Sequence, residues 1–269
     1  PPRSTLFPYT TLFRSAIPSR ARLGRAKVTW IDDAKQRIFE YETDAQCFAV
    51  GEVDGEPTYF DAYPFSGLNR AIVQHALQKA GLGGYSVHAV SGLPVSSFYL
   101  KDGSRREEIL TRKRDSLKKT VQPIDGRLSA AIAFHDVVLE ALSAWYDHFI
   151  TEYDTGVQLE SERLHAPVAV VDIGGRTTDY VVVTDQAVQH GSSGSLRCGL
   201  LDMKREVTEG IRARFDLEGV SERVVEAAIQ KGSVRLFGKD YDVSDLVQSA
   251  QRQLVERLHA ETQRQLGRG

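Results

Sequence analysis

The strongest constraint on this chain is one strand-turn-strand stretch, Val168 to Val183. Val168–Ile173 is an apolar, β-branched strand that delivers Asp172. Gly174-Gly175-Arg176 is a turn, and Thr178–Thr184 is a second strand. Two glycines let a backbone turn tightly and approach a ligand closely. Successive N–H groups in such a turn can form a concavity for an anion. A strand follows the turn, not a helix. That argues against a Walker loop and a dinucleotide fingerprint, both of which open a helix. A phosphate held by a glycine-rich hairpin, with an aspartate beside it for hydrated Mg²⁺, fits the pattern. A plain hairpin turn, where Gly-Gly is common, fits it too.

The flanking sequence sets the fold class. Val28–Ile31 and Gln36–Tyr41 read as short strands, with Ile31-Asp-Asp-Ala-Lys35 as the hairpin tip between them. That tip resembles the Asp-rich start of a nucleotide loop but lacks the glycine and hydroxyl needed to grip phosphate. Cys47–Val53 and Pro57–Tyr63 flank Asp54-Gly55, a strong hairpin signal. Ser66 caps a helix expected to run to Ala80, with Gly81 as its stop. Val87–Val90 is a buried-strand candidate leading into a loop, Ser91-Gly-Leu-Pro94. Ser104-Arg-Arg-Glu107 reads as a capping box before a helix that ends in Arg112, Lys113, Arg114, Lys118 and Lys119. Phe134, Val138, Leu142, Trp145 and Phe149 predict one helix with a single apolar face. Leu200–Phe215, Val220–Gln230 and Val243–Leu266 predict three more. Strands interleaved with helices argue an α/β protein.

Composition narrows the function. With 269 residues, the chain has room for one large domain or two small ones. Hydrophobic residues at 41% and a net charge of −2 exclude a disordered chain and a polybasic nucleic-acid tail. Direct binding to nucleic acid is therefore not expected. The basic stretch Arg105–Lys119 also holds Glu107, Glu108 and Asp115, and reads as a solvated helix face. No stretch approaches the roughly 20 apolar residues of a membrane helix, so no membrane contact is expected. Cys47 and Cys198 lie far apart and imply no disulfide framework, which suits a reducing, cytoplasmic setting. The seven histidines show no metal-ligand spacing. His75, His135 and His148 fall on helix patterns as surface or packing residues. Ser193-Gly-Ser195 reads as a loop. Glu140 stands at the edge of the Phe134–Phe149 face. It is a candidate for orienting water, or simply a solvated acid.

The string Thr5-Leu-Phe-Pro-Tyr-Thr-Thr-Leu-Phe-Arg-Ser15 resembles a translated sequencing adapter, so residues 1–15 are set aside from the fold.

At Asp172-Ile-Gly-Gly-Arg-Thr-Thr-Asp179 the chain resembles the second phosphate loop of the actin superfamily. Three further stretches are similar to its ParM/StbA branch, the plasmid-segregation actins. They are Ser91-Gly-Leu-Pro-Val-Ser-Ser-Phe-Tyr99, the basic helix Arg105–Thr120, and Glu140-Ala-Leu-Ser-Ala-Trp-Tyr-Asp147. The resemblance implies an actin-like (ribonuclease H-like) ATPase fold, with two domains around a nucleotide cleft: residues 16–165 and 166–269. It implies ATP and Mg²⁺ as ligands. Asp172 would hold the metal through water. Gly174, Gly175, Arg176 and Thr177 would contact the phosphates, and Glu140 would position the attacking water. Gly199, in Arg197-Cys-Gly-Leu-Leu-Asp202, is similar to the loop before the helix lining the nucleotide cleft. Arg176 departs from the superfamily's commoner Thr, which spares a backbone contact but not a hydroxyl contact. The branch's first phosphate loop and its glycine-rich adenosine loop have no counterpart here. The expectation is a fragment, incomplete at both ends, that binds ATP poorly or not at all. The implied partners are further copies in a filament and an adaptor protein bound to DNA. A sugar or carboxylate kinase of the same superfamily, or a non-enzymatic interaction protein, remain as alternatives.

Overall fold

Strand and helix alternate along the chain, as expected of an α/β protein. The computed structural model describes residues 17, 19–28, 31, 37–53, 55, 56, 58, 60–153 and 156–266. By packing the chain divides into two units. The first comprises residues 1–92, 106–138 and 154–156, and the second 93–105, 139–153 and 157–269. The segments 93–105 and 139–153 thus pack with the second unit although they precede residue 166.

In the first unit, β1 (Ala21–Leu23), β2 (Ile38–Thr43) and β3 (Gln46–Gly51) pair antiparallel in the order β1-β3-β2. The helix α1 (Gly67–Lys79) lies against them. Ser66 caps it as expected, its hydroxyl accepting from Asn69 N–H at 3.2 Å. Ala21, Tyr41, Phe48, Val50, Leu68, Ala71 and Ile72 form the core between sheet and helix. The β2–β3 hairpin closes at Asp44-Ala45, both with positive φ (52° and 58°). Alanine rarely adopts that conformation, so the turn carries no strong sequence signal. Asp44 is instead held by ion pairs with buried Arg70 and with Lys119. Gly55 serves a close approach: a Cβ there would sit 3.3 Å from the Arg20 Cα. The expected strand Pro57–Tyr63 is absent among its described residues, and Tyr63–Phe65 is a short 3-10 turn. The expected tip Ile31–Lys35 and the expected strand Val28–Ile31 lie partly, and residues 1–15 wholly, outside the described residues.

Next come β4 (Ser86–Leu93), the single turn α2 (Val95–Phe98) and α3 (Glu107–Lys118). The strand β4 extends through most of the stretch expected to be a loop. No capping box forms at α3. Arg106 is its N-cap, while the Ser104 hydroxyl and N–H both donate to Asp102 Oδ1, at 2.6 and 2.9 Å. The basic face of α3 is not solvated throughout. Lys113 is buried and donates to the Pro64 carbonyl and Asn69 Oδ1, each at 2.9 Å. After the short β5 (Gln122–Pro123), β6 (Ala131–Leu139) pairs with β4.

β6 corrects the expected single helix over Phe134–Phe149; α4 spans only Glu140–Phe149. A spacing of four is also a multiple of two, so Phe134 and Val138 fit a strand as well as a helix. The buried residues of β6 have the other parity: His135, Val137 and Leu139. Phe134 is 52% exposed. His135 is therefore a buried strand residue, not a helix residue.

In the second unit, β7 (Ile150–Tyr153) and β8 (Gly156–Leu159) pair, and α5 (Ser161–His165) leads into β9 (Val168–Ile173). The strand β10 (Thr178–Thr184) lies at the centre of an antiparallel sheet. β9 is on one side of it; β11 (Ala187–Val188) and β12 (Gly194–Leu196) share the other. β9 and β10 match the sequence expectation residue for residue, whereas Gly194 and Ser195 belong to a strand rather than a loop. Then follow α6 (Leu200–Phe215), as expected, α7 (Glu222–Lys231), a hairpin of β13 (Ser233–Leu236) and β14 (Lys239–Asp242), and α8 (Ser244–Leu266). Tyr180, Leu196, Val207, Ile211, Val225 and Leu254 belong to the core joining the sheet to these helices. α4 packs against β9 and β10, and Val181 and Val183 are fully buried.

Candidate functional site

The glycine turn is built from hydrogen bonds that use its carbonyls. Gly174 N–H donates to the Thr177 carbonyl at 2.9 Å, which closes the turn. The Gly174 and Gly175 carbonyls then accept from Leu200 N–H at 3.0 Å and Leu201 N–H at 2.8 Å. The first N–H groups of a helix have no partner within the helix. Here the first two N–H groups of α6 are satisfied by the turn. The Thr178 hydroxyl donates to the Cys198 carbonyl at 2.8 Å, a second tie between turn and helix start. Asp202 completes the junction by accepting from Gly199 N–H at 3.1 Å.

Gly199 is where the backbones meet. A Cβ there would lie 2.5 Å from the Gly174 oxygen and 2.6 Å from the Gly175 oxygen. Its backbone is extended, with φ −168°, so space and not conformation demands glycine. Gly174, Gly175 and Gly199, which lie apart in sequence, form one contact. Arg176 and Thr177 complete the turn and are half-buried, while Gly175 is exposed.

Asp172 sits two residues before Gly174, next to last in β9, half-buried and directly opposite Asp179 in the register. Asp179 is 2% exposed and accepts from Val95 N–H at 3.1 Å. Burial pushes its carboxyl above the usual carboxylate range and the Asp172 charge adds to this, while the Ser195 hydroxyl and Val95 N–H oppose it. Glu140 is exposed at the first position of α4. What ties it to the turn is the packing of its helix on β9 and β10; the three glycines are tied by direct contact.

Among the described residues, no three His, Cys, Asp or Glu side chains gather into a cage for a metal ion. Mg²⁺ keeps several waters and is held by one or two carboxylates plus substrate phosphates. Asp172 fits that donor set. No helix among the described residues is long and apolar enough to cross a membrane.

Two residues outside the sequence-based set emerge. Asp179 is the only acid in the strand Thr178–Thr184, an anomaly visible in the sequence. Asp202 follows Gly199 by three positions, the spacing of a helix-capping acid.

Residues 26–149 match the family model for the N-terminal part of plasmid segregation protein ParM. Residues 170–269 match the model for the C-terminal part of the archaeal MreB-like actin homologue. No curated protein matches the chain. Among solved structures, the actin-like protein Alp7A is similar with a TM-score of 0.69 at 15% identity, over 92% of this chain and 73% of its own. The archaeal actin homolog Ta0583, in complex with ADP, gives 0.67 at 16% identity, over 93% and 74%. A ParM from Clostridium botulinum, solved as a 15-stranded filament, gives 0.65 at 16% identity, over 93% and 77%. The chain has an actin-like fold, and the two family matches, over residues 26–149 and 170–269, support an actin-like protein of the ParM type.

Proposed function

We propose that this protein is a nucleotide-dependent, filament-forming segregation protein, and that Gly174–Thr177 is an arm of its phosphate site. One observation carries the reading: the turn's carbonyls are tied back to α6, and only glycine fits where Gly199 meets them. A turn held in that way by its acceptors presents donors to an anion. Gly174 N–H is committed to closing the turn, so phosphate contact falls to the amides of Gly175, Arg176 and Thr177. The Arg176 contact is through backbone, which explains how arginine is tolerated there.

In this reading the ligand is ATP. Asp172 is the residue that holds hydrated Mg²⁺, whose charge, when bound, offsets that of the phosphates. Glu140, on the helix packed against the hairpin, orients a water toward the γ-phosphorus. The water oxygen forms a bond to phosphorus, the bond to the departing ADP oxygen breaks, and Glu140 accepts the water's proton. Support for self-assembly comes from the ParM filament of similar fold, and support for nucleotide from the ADP complex of Ta0583. The partners in this reading are further copies of the chain and a DNA-bound adaptor, and the setting is the cytoplasm.

In the intact protein, Mg-ATP is expected to drive sedimentation of polymer. Glu140→Ala is expected to slow phosphate release by about 100-fold while leaving nucleotide binding in place. Unchanged phosphate release would remove the role given to Glu140. Sedimentation that ignores nucleotide would remove the filament reading.

A further inference from the structure

The segment Leu93–Arg105 belongs to the second unit, although the chain up to Gly92 and again from Arg106 belongs to the first. It contains α2, a single turn whose N-cap residue is Pro94, and Pro94 makes no side-chain cap. The exposed N–H groups of such a turn need partners. Two of them are met from far along the chain. Val95 N–H donates to Asp179 Oδ2 at 3.1 Å, and Ser96 N–H donates to Ser195 Oγ at 2.9 Å. Asp179 and Ser195 are themselves directly opposed across β10 and β12. Two consecutive amides are thus received by two side chains at one register position of the sheet.

The rest of the segment is anchored to the same unit. Val95 and Phe98 are buried. The Tyr99 backbone bridges to Arg105, and its ring meets the His190 ring edge-on, with centroids 4.5 Å apart. Gly103 lies against that same imidazole, where a Cβ would come within 2.7 Å. A carboxylate is a costly residue to bury, and the cost is offset only when its hydrogen bonds do something. At Asp179 the hydrogen bond holds α2.

We propose that Asp179 and Ser195 are positioning residues that dock the segment Leu93–Arg105 onto the strand carrying the glycine turn, making it a strap that opens locally when either side chain is lost. The dock acts through hydrogen-bond acceptance, so an amide serves at position 179 as well as a carboxylate does. It stands whatever occupies the turn.

Residue-resolved amide exchange on the ligand-free chain tests this. The wild type is compared with Asp179→Asn, Asp179→Val and Ser195→Ala. Asp179→Val is expected to speed exchange at Val95, and Ser195→Ala at Ser96, each by about tenfold, the loss of one hydrogen bond. Asp179→Asn is expected to keep the wild-type rate. Val181 and Val183, fully buried in the middle of β10, are expected to stay protected in every variant. Exchange at Val95 and Ser96 that is the same in all four proteins would overturn the proposal. So would acceleration that always accompanies loss of protection at Val181, because that reports unfolding of the sheet and not release of a strap. If Asp179→Val fails to fold, Ser195→Ala and Asp179→Asn decide the matter.

Discussion

Gly199→Ala is expected to destabilise the second unit by about 3 kcal/mol, the upper end of what overpacking costs. The added methyl would meet backbone oxygens at 2.5 and 2.6 Å, and backbone cannot rotate aside as a side chain can. Relief requires the turn to part from α6. That sacrifices the hydrogen bonds from Leu200 and Leu201 to the Gly174 and Gly175 carbonyls, each worth about 1 kcal/mol. Gly175→Ala is the matched control. Its Cβ would touch only the Leu201 side chain, at 3.6 and 3.7 Å, and its φ is not in the left-handed region. It is expected to change stability by less than about 1 kcal/mol. Urea midpoints of the two variants check this. Equal midpoints would mean that the turn and α6 are not joined as described.

The second large effect concerns pH and lies in the first unit. The Tyr41 hydroxyl and His75 Nδ1 are 2.9 Å apart, buried and hydrogen-bonded to each other. Burial, with Lys79 and Arg127 nearby, pulls the His75 pKa down to about 4, and burial pushes that of Tyr41 up to about 12. An unfolded histidine titrates near 6.5. Between those values the unfolded chain takes up a proton that the folded chain refuses. The stability His75 contributes is therefore complete above about pH 6.5 and is lost as pH falls toward 4, in total about 3 kcal/mol. Burial also lowers the pKa of His135, which adds a slope of the same sign. Exposed carboxylates held by arginine act lower: the hydrogen bond from Arg214 draws Asp245 down to about 2. Unfolding free energy measured from pH 7 to pH 5 is expected to fall in the wild type and to fall less steeply in His75→Leu. The slope is the diagnostic, because losing the Tyr41 partner lowers stability at every pH. Parallel slopes would contradict a neutral buried His75.

Much of the second unit can be read directly from sequence. β9, β10 and α6 have unambiguous periods, strong β-branching or clear ends, and their glycines mark where backbones approach. The motif also placed Asp172 beside the turn. What sequence does not announce is the contact between Gly199 and the turn, because that depends on where α6 returns. Asp179 shows only as a charge in an apolar strand, and its partner, Val95, is 84 residues away. Earlier in the chain the failures are of two kinds. The β2–β3 turn uses Asp44-Ala45, held by a tertiary ion pair from Arg70, and carries no glycine signal. The β6–α4 junction hides because residues four apart satisfy both periods, and only burial reveals that His135, Val137 and Leu139 face inward.

In the proposed function the turn at Gly174–Thr177 receives nucleotide phosphate. Backbone amide shifts recorded while the chain is titrated to millimolar ADP or ATP with Mg²⁺ test it most directly, since weak binding still moves them. The largest changes are expected on Gly175, Arg176 and Thr177, with Gly199 to Asp202 following through the shared junction. No shifts at millimolar nucleotide, or shifts gathered elsewhere while these amides stay still, would contradict it.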